Sequence, residues 1–213
     1  KIALARRRSE FVELLGLVSV RCLRRRILPR MSLGGRTRSL LSDWMRRVSS
    51  GWVALAALLI FLLFTALVLP QQAMTAEQET GSGVSPDTSF FYTPADLYQI
   101  AESYGEEGRE AYIRARFTFD LVWPLVYTLF LATAISWAFG KAFAPDSRWR
   151  WANLVPLGGA LFDYLENLST SLVMLRYPAQ TAVVDLLAPF FTTLKWGFLG
   201  VSFVLLFGGI VVA

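Results

Sequence analysis

The sequence predicts an all-α integral membrane protein, a four-helix bundle with an amphipathic surface helix before its second span. Three observations carry that expectation. Of the 213 residues, 54% are hydrophobic and only 17% are charged, well off the balance of ordinary soluble domains. The apolar residues are gathered into blocks near the roughly 20 residues that a helix needs to cross a bilayer. The charges between the blocks are sorted by sign. Residues 1–48 hold 13 Lys and Arg against three acids, and residues 70–115 hold eight acids against two Arg.

These blocks divide the chain into a basic arm, residues 1–50, and a membrane domain, residues 51–213, with an outer loop at 70–115. The arm begins with Lys1 and is rich in Arg around a short apolar run, Phe11 to Val20, which is too short to span. Residues 1–30 are expected to be either a surface amphipathic helix or, as the favoured alternative, translated sequence upstream of a true start at Met31. The first span, Trp52 to Leu69, has no charge and stops at Pro70. Residues 71–93 are polar and turn-rich and are expected to form an exposed loop. Thr93-Pro94-Ala95-Asp96 then signals a helix start. Thr93 can cap it, Pro94 suits the first helical position, and Asp96 faces the positive end of the helix dipole.

Leu97, Ile100, Ala101 and Tyr104 follow at helical spacing and give that helix one apolar face. The expectation is an amphipathic helix on the membrane surface, with a lid over a site as the sharper alternative. Gly105 is suited to end it. Glu106 and Glu107 open the next helix, which is expected to run without a break through Arg116 into the second span, ending near Phe139. The third span is expected at about Ala152 to Leu175. The fourth runs from about Val183 to the C-terminus. Basic residues mark the cytoplasmic side. The N-terminal arm and the loop holding Lys141, Arg148 and Arg150 therefore share that side, and both termini are expected there.

The chain has no histidine and one cysteine, Cys22. The commonest general base and the commonest zinc, copper and haem ligand are missing, and an internal disulfide needs a second thiol. No metal and no cofactor are expected. The arginines flank a spanning segment rather than forming a separate basic face, so nucleic acid is not expected as a partner.

Charged groups inside spans are costly and therefore informative. Asp163, Glu166, Asn167 and Thr170 stand at offsets 0, +3, +4 and +7, on one face of the third span. Lys195 in the fourth span lies at similar depth and is the natural partner of Asp163 or Glu166. Asp120, Pro124 and Tyr127 make a stripe on the second span, with Asp120 shallow enough to pair with Arg116 or Arg176. The first span offers no such stripe and is expected to be a lipid-facing wall. The candidate polar pocket is thus Asp120, Tyr127, Asp163, Glu166, Asn167 and Lys195. Arg109 and Arg116, with Arg114, are candidates for a basic outer surface that binds phosphate. The plainer alternative for these arginines is pairing with Glu106, Glu107 and Glu110 on their own helix. The plainer alternative for the pocket is a set of contacts fixing helix register. Such contacts are worth only about 0.6 kcal/mol each on average, against about 2.5–3.5 kcal/mol for a charge at the bilayer centre, so register alone is a weak reason to keep them.

Several short stretches carry a family likeness. They are Tyr92-Thr93-Pro94, Tyr104-Gly105-Glu106-Glu107-Gly108-Arg109 with Tyr112, Asp120 with Pro124 and Tyr127, Asp163-Tyr164-Leu165-Glu166-Asn167, Tyr177-Pro178, and Thr193-Leu194-Lys195-Trp196. With these, residues 52–213 resemble a group of uncharacterised bacterial four-helix membrane proteins. The resemblance implies that architecture and a bacterial plasma membrane, and it implies no reaction. Emopamil-binding-like sterol isomerases are similar only in span count, and the missing histidine argues against their chemistry.

Three functions are open to such a chain. It could be a binding or accessory protein that holds a lipid, a small molecule, a partner helix or a second copy of itself through its polar interior. It could be a small proton- or ion-coupled transporter. It could be an enzyme acting on lipid headgroups by carboxylate acid–base chemistry.

Overall fold

The computed structural model describes residues 33–213. The expectation for residues 1–30 lies outside the described residues. Every regular element among them is helical. Helix α1 is Leu33–Val48. Helix α2, Gly51–Leu63, is capped by Ser50, whose hydroxyl accepts from the Val53 amide. It passes through a π-helical turn, Phe64–Val68, into α3, Leu69–Thr80. The first apolar helix therefore does not stop at Pro70. Pro70 removes one N–H from this continuous helix and its ring crowds the preceding turn, and the wider π turn just before it absorbs the misfit. Helix continues to Thr80, through residues expected to be loop, and ends at Gly81 in the left-handed conformation (φ 69°), which glycine adopts at little cost.

The loop that follows contains a single 3-10 turn, Pro86–Thr88. It is not simply exposed. Pro86 and Tyr92 are buried. Helix α4, Pro94–Arg116, starts with the expected capping box. The Thr93 amide donates to Asp96 Oδ2 at 2.8 Å, and the Asp96 amide donates to Thr93 Oγ1 at 3.2 Å. Gly105 interrupts α4 with φ 63° and ψ −173°. The half before it buries Leu97, Ala101 and Tyr104 against Val173, Met174 and Ala188. The apolar face of this amphipathic segment is thus covered by the protein's own helices.

Helix α5, Phe119–Ala142, begins only after a turn at Phe117 and Thr118. The second apolar helix therefore does not run on unbroken from Glu106. A 3-10 segment, Arg148–Leu154, leads into α6, Val155–Arg176, and α7 is Val184–Val212.

Among the described residues three stretches are long and apolar enough to cross a membrane: Gly51–Thr80, Pro94–Ala142 and Val184–Val212. Helix α6 has the length but is not among them. The row of Asp163, Glu166, Asn167 and Thr170 dilutes its apolarity. Helices α6 and α7 pack together most extensively. Glycine explains how closely they approach, because a Cβ on Gly158 would sit 2.5 Å from the Phe198 ring. Helix α5 packs on both of them and on α2. The apolar core runs along α5 through Phe130, Leu131, Ala134, Ile135, Ala138 and Phe139, and meets Ala57 and Leu206. Helix α2 buries only Ala54 and Ala57. It leans on α5 through Phe61, stacked on Trp123 and Phe130, and leaves Leu59, Leu62 and Leu63 exposed.

Candidate functional site

The polar face of α6 is buried throughout. Asp163, Glu166, Asn167 and Thr170 are each no more than 6% exposed. An α-helix brings residues three and four apart to one side, and α5 and α7 meet that side. Lys195 of α7, itself buried, reaches Glu166 Oε2 at 2.5 Å and Asp163 Oδ1 at 3.9 Å. From α5, the Tyr127 hydroxyl donates to Asp163 Oδ2 at 3.0 Å. Asp163, Glu166, Lys195 and Tyr127 thus form one cluster on three helices. Buried charges in such a place need partners and hydrogen bonds together, because desolvation removes several kcal/mol per ion.

A second charged group lies toward the 81–93 loop. Arg116 Nη1 bridges Asp87 Oδ2 at 2.9 Å and Asp120 Oδ2 at 2.8 Å. Its guanidinium lies over the Tyr112 ring, 4.5 Å from the centroid. Arg116 is not a surface residue as its place in the sequence suggests, being only 7% exposed. The two carboxylates explain how a guanidinium can be buried there.

Asp87 joins the two groups. Its carboxylate pairs with Arg116, its backbone carbonyl accepts from Lys195 Nζ at 3.3 Å, and Ser85 donates to its other oxygen. Burial would raise the Asp87 carboxyl, but the facing Arg116 and Lys195 charges and the Ser85 hydroxyl outweigh it and hold it down to about 2. The loop is further anchored by the Trp196 indole N–H donating to Ser89 O at 3.1 Å, by Thr192 Oγ1 donating to the Tyr92 hydroxyl at 3.1 Å, and by the Tyr104 hydroxyl donating to Val84 O at 2.7 Å. Nothing in the hydropathy of residues 81–93 points to this role. The one signal was an aspartate set between Pro86 and a run of aromatic residues.

A cavity of about 330 Å³ opens beside the Arg116 group. Its walls are α3, the loop and the second half of α4, with Tyr104, Tyr112, Arg116, Phe119, Asp87 and Asp120 among its lining. Glu166, Asp163 and Lys195 do not line it.

The remaining candidates are spread out. Arg109 donates to Ala101 O at 3.0 Å across the Gly105 break and lies over the Tyr177 ring. Arg114 pairs with Glu79 on α3 at 2.9 Å. Among the described residues none of these three arginines pairs with Glu106, Glu107 or Glu110, and the three do not converge on one point that could hold a phosphate. Among the described residues, buried Asn167 has neither amide atom hydrogen-bonded, and Glu166 Oε1, Ser171 Oγ and Arg116 Nε are likewise without a partner. Buried polar atoms are seldom left so, and each costs about 1–3 kcal/mol. Comparison with protein-family models, with curated proteins and with solved structures finds no match.

Proposed function

We propose that the chain is a four-span membrane protein of the bacterial plasma membrane that binds a small polar ligand, reached from the outer side, in the cavity beside Arg116. Helix α6 is the fourth crossing. At about 1.5 Å per residue its 22 residues reach roughly 33 Å, enough for the hydrocarbon core. Its carboxylates are tolerable there because Lys195 and Tyr127 meet them inside the protein. The basic arm and the Lys141–Arg150 loop then lie on the cytoplasmic side, with both termini, and the acidic 70–115 segment lies outside. The observation that carries the binding reading is the cavity's floor. Arg116, Asp87 and Asp120 are fixed by one another and, through Asp87, by the Lys195 cluster, so the polar groups are placed before any ligand arrives. A concave site with a few fixed polar groups among apolar ones suits small ligands.

Two measurements test this. With Cys22 changed to Ser, single cysteines at Gln78 and Gln180 should react with a membrane-impermeant maleimide in intact cells. One at Asp146 should react only after permeabilisation. The opposite pattern would overturn the topology. A structure determined in lipid nanodiscs should show non-protein density against Arg116 and Asp120, and a collapsed or empty cavity would remove the binding reading.

Ion-coupled transport is the second reading, and one observation favours it. Glu166 Oε1, the Asn167 amide and Ser171 Oγ are buried without partners, and a permeating ion or file of waters would satisfy them. Proton flux into proteoliposomes that Glu166→Gln abolishes would establish this reading in place of simple binding.

A further inference from the structure

The cavity has a charge balance that limits what can enter it. Its lining carries four carboxylates, Glu77, Glu79, Asp87 and Asp120, against one cation, Arg116. Arg114 offsets Glu79 from outside the lining. Arg116 is already shared between Asp87 and Asp120 through a single nitrogen, Nη1. A simple anion would therefore meet a net negative wall whose one guanidinium is committed.

What the protein leaves unmet is specific. The Asp120 side chain is 9% exposed, and its only partner among the described residues is Arg116, on Oδ2. Among the described residues no group donates a hydrogen bond to this carboxylate, and Oδ2 is buried without one despite the ion pair. The Glu77 carboxylate at the rim meets no cation and no donor among the described residues. Arg116, 7% exposed, lines the cavity, and among the described residues both of its ion pairs run through Nη1. The site thus lacks N–H donors for its carboxylates and one oxygen acceptor for its guanidinium. Its walls also change character along their length. Leu69 ends the long apolar stretch of the first helix and Phe119 begins that of α5, whereas Glu77, Ser82 and Ser85 lie toward the loop. A polar headgroup with an apolar continuation matches that gradient.

Building on the binding role proposed for this cavity, we infer that it takes a ligand bearing an ammonium group next to an oxyanion, the chemistry of aminoethyl phosphate. The ammonium supplies donors to the Asp120 and Glu77 carboxylates, and the oxyanion accepts from the Arg116 guanidinium where it lines the cavity. A trimethylated ammonium has no N–H to give and leaves Asp120 unmet, so the site discriminates between amine and choline headgroups. The same chemistry occurs in a phospholipid headgroup and in the free aminoalkyl phosphate.

The full chain is purified into nanodiscs made of equal parts phosphatidylethanolamine, phosphatidylcholine and phosphatidylglycerol, and retained lipid is read by native mass spectrometry. Phosphatidylethanolamine should be retained in preference to the other two. Asp120→Asn should weaken retention roughly tenfold to a hundredfold, as expected for loss of a charge-assisted hydrogen bond. Glu77→Gln, at an exposed rim position where folding is not at stake, should weaken it less. Ala115→Leu fills the cavity without altering charge and should abolish retention. In discs of phosphatidylcholine alone, O-phosphoethanolamine should raise the melting temperature of the wild type and not of Ala115→Leu if the free compound is the ligand. Selective lipid retention without that rise assigns the lipid headgroup. Either result supports the proposal. Preference for phosphatidylglycerol or phosphatidylcholine that Ala115→Leu removes would overturn the ammonium assignment and leave the cavity a binding site. Failure of every probe to depend on Ala115 would overturn both.

Discussion

The two ends of the helices settle their polar groups in opposite ways. At one end Ser42 of α1, Asn153 of the 3-10 segment and Ser136 of α5 form a closed neutral set. Ser42 Oγ donates to Asn153 Oδ1 at 2.9 Å, and Asn153 Nδ2 donates to Ser136 Oγ at 2.9 Å and to Ser42 O at 3.3 Å. Arg46 donates to Ser42 from the edge and pairs with Asp43. Asn153 is buried and has no free polar atom. At the loop end the chain buries Arg116 and Lys195 against Asp87, Asp120, Asp163 and Glu166, leaves several of their atoms unmet, and opens a cavity beside them. The first end joins its elements with three neutral side chains and Arg46 at their edge, without burying a carboxylate. The second end keeps the costlier groups, and the cavity opens beside only one of its two clusters, that of Arg116, Asp87 and Asp120.

The largest test of that contrast is Lys195→Met. It leaves Glu166 and Asp163 without a cation in a buried cluster, which should cost about 3–5 kcal/mol. Thermal unfolding in mild detergent reads the loss. Lys195→Met with Glu166→Gln should recover much of it, since the stranded charge is then gone. A single variant as stable as the wild type would mean that the carboxylates are already neutral or hydrated, and the comparison between the ends would lose its energetic basis.

Asp87 gives a test that pH can drive. Its carboxyl is held at about 2 against an ordinary 3.8. A depressed carboxyl stabilises the fold above its ordinary value, and that contribution is lost as pH falls through the folded one. Asp87→Asn should therefore be less stable than the wild type by about 2 kcal/mol at pH 7. The gap should close between about pH 4 and pH 2, with no trend above pH 5. Parallel unfolding curves for the two proteins across that range would show that Asp87 does not bind the loop to Arg116 and Lys195.

Much of the fold could be read from the chain because hydrophobic blocks and caps are local. The blocks around Trp52–Leu69, Phe119–Phe139 and Val184–Val212, the Thr93 capping box and the Gly105 break all stand where short-range chemistry puts them. The meeting of Lys195 with Glu166 follows from cost alone, since an ion in an apolar block has to find its opposite. The loop was beyond such reasoning. Residues 71–93 are polar by composition, and composition does not separate a solvated loop from one that feeds an aspartate between two buried cations. Arg116 was legible only in part: its pairing with Asp120 one turn on is as expected, but its burial is not. It looks exposed because Glu106, Glu107 and Arg109 precede it. Its burial depends on Asp87, 29 positions earlier, and on a turn at Phe117 and Thr118 that no glycine or proline announces.

The smaller effects sharpen the contrast from its other side. Asn153→Ala should cost about 1–3 kcal/mol, because Ser42 and Ser136 lose their shared partner inside the protein. It should leave lipid retention and pH response at the loop end unchanged, since the two sets share no residue. The smallest expected effect is at Arg114. It pairs with Glu79 at 2.9 Å, but both side chains are well exposed, at 62% and 40%. Exposed pairs are worth about 0–1 kcal/mol and weaken with salt, so Arg114→Ala should barely move the melting temperature. Glu79 lines the cavity, however, and freeing its charge makes the wall more negative. Arg114→Ala should therefore strengthen binding of an ammonium ligand modestly, and more at low ionic strength than at high. Weaker binding in this variant would mean that Arg114 contacts the ligand's oxyanion itself, and would move the anionic end of the site from Arg116 to the rim.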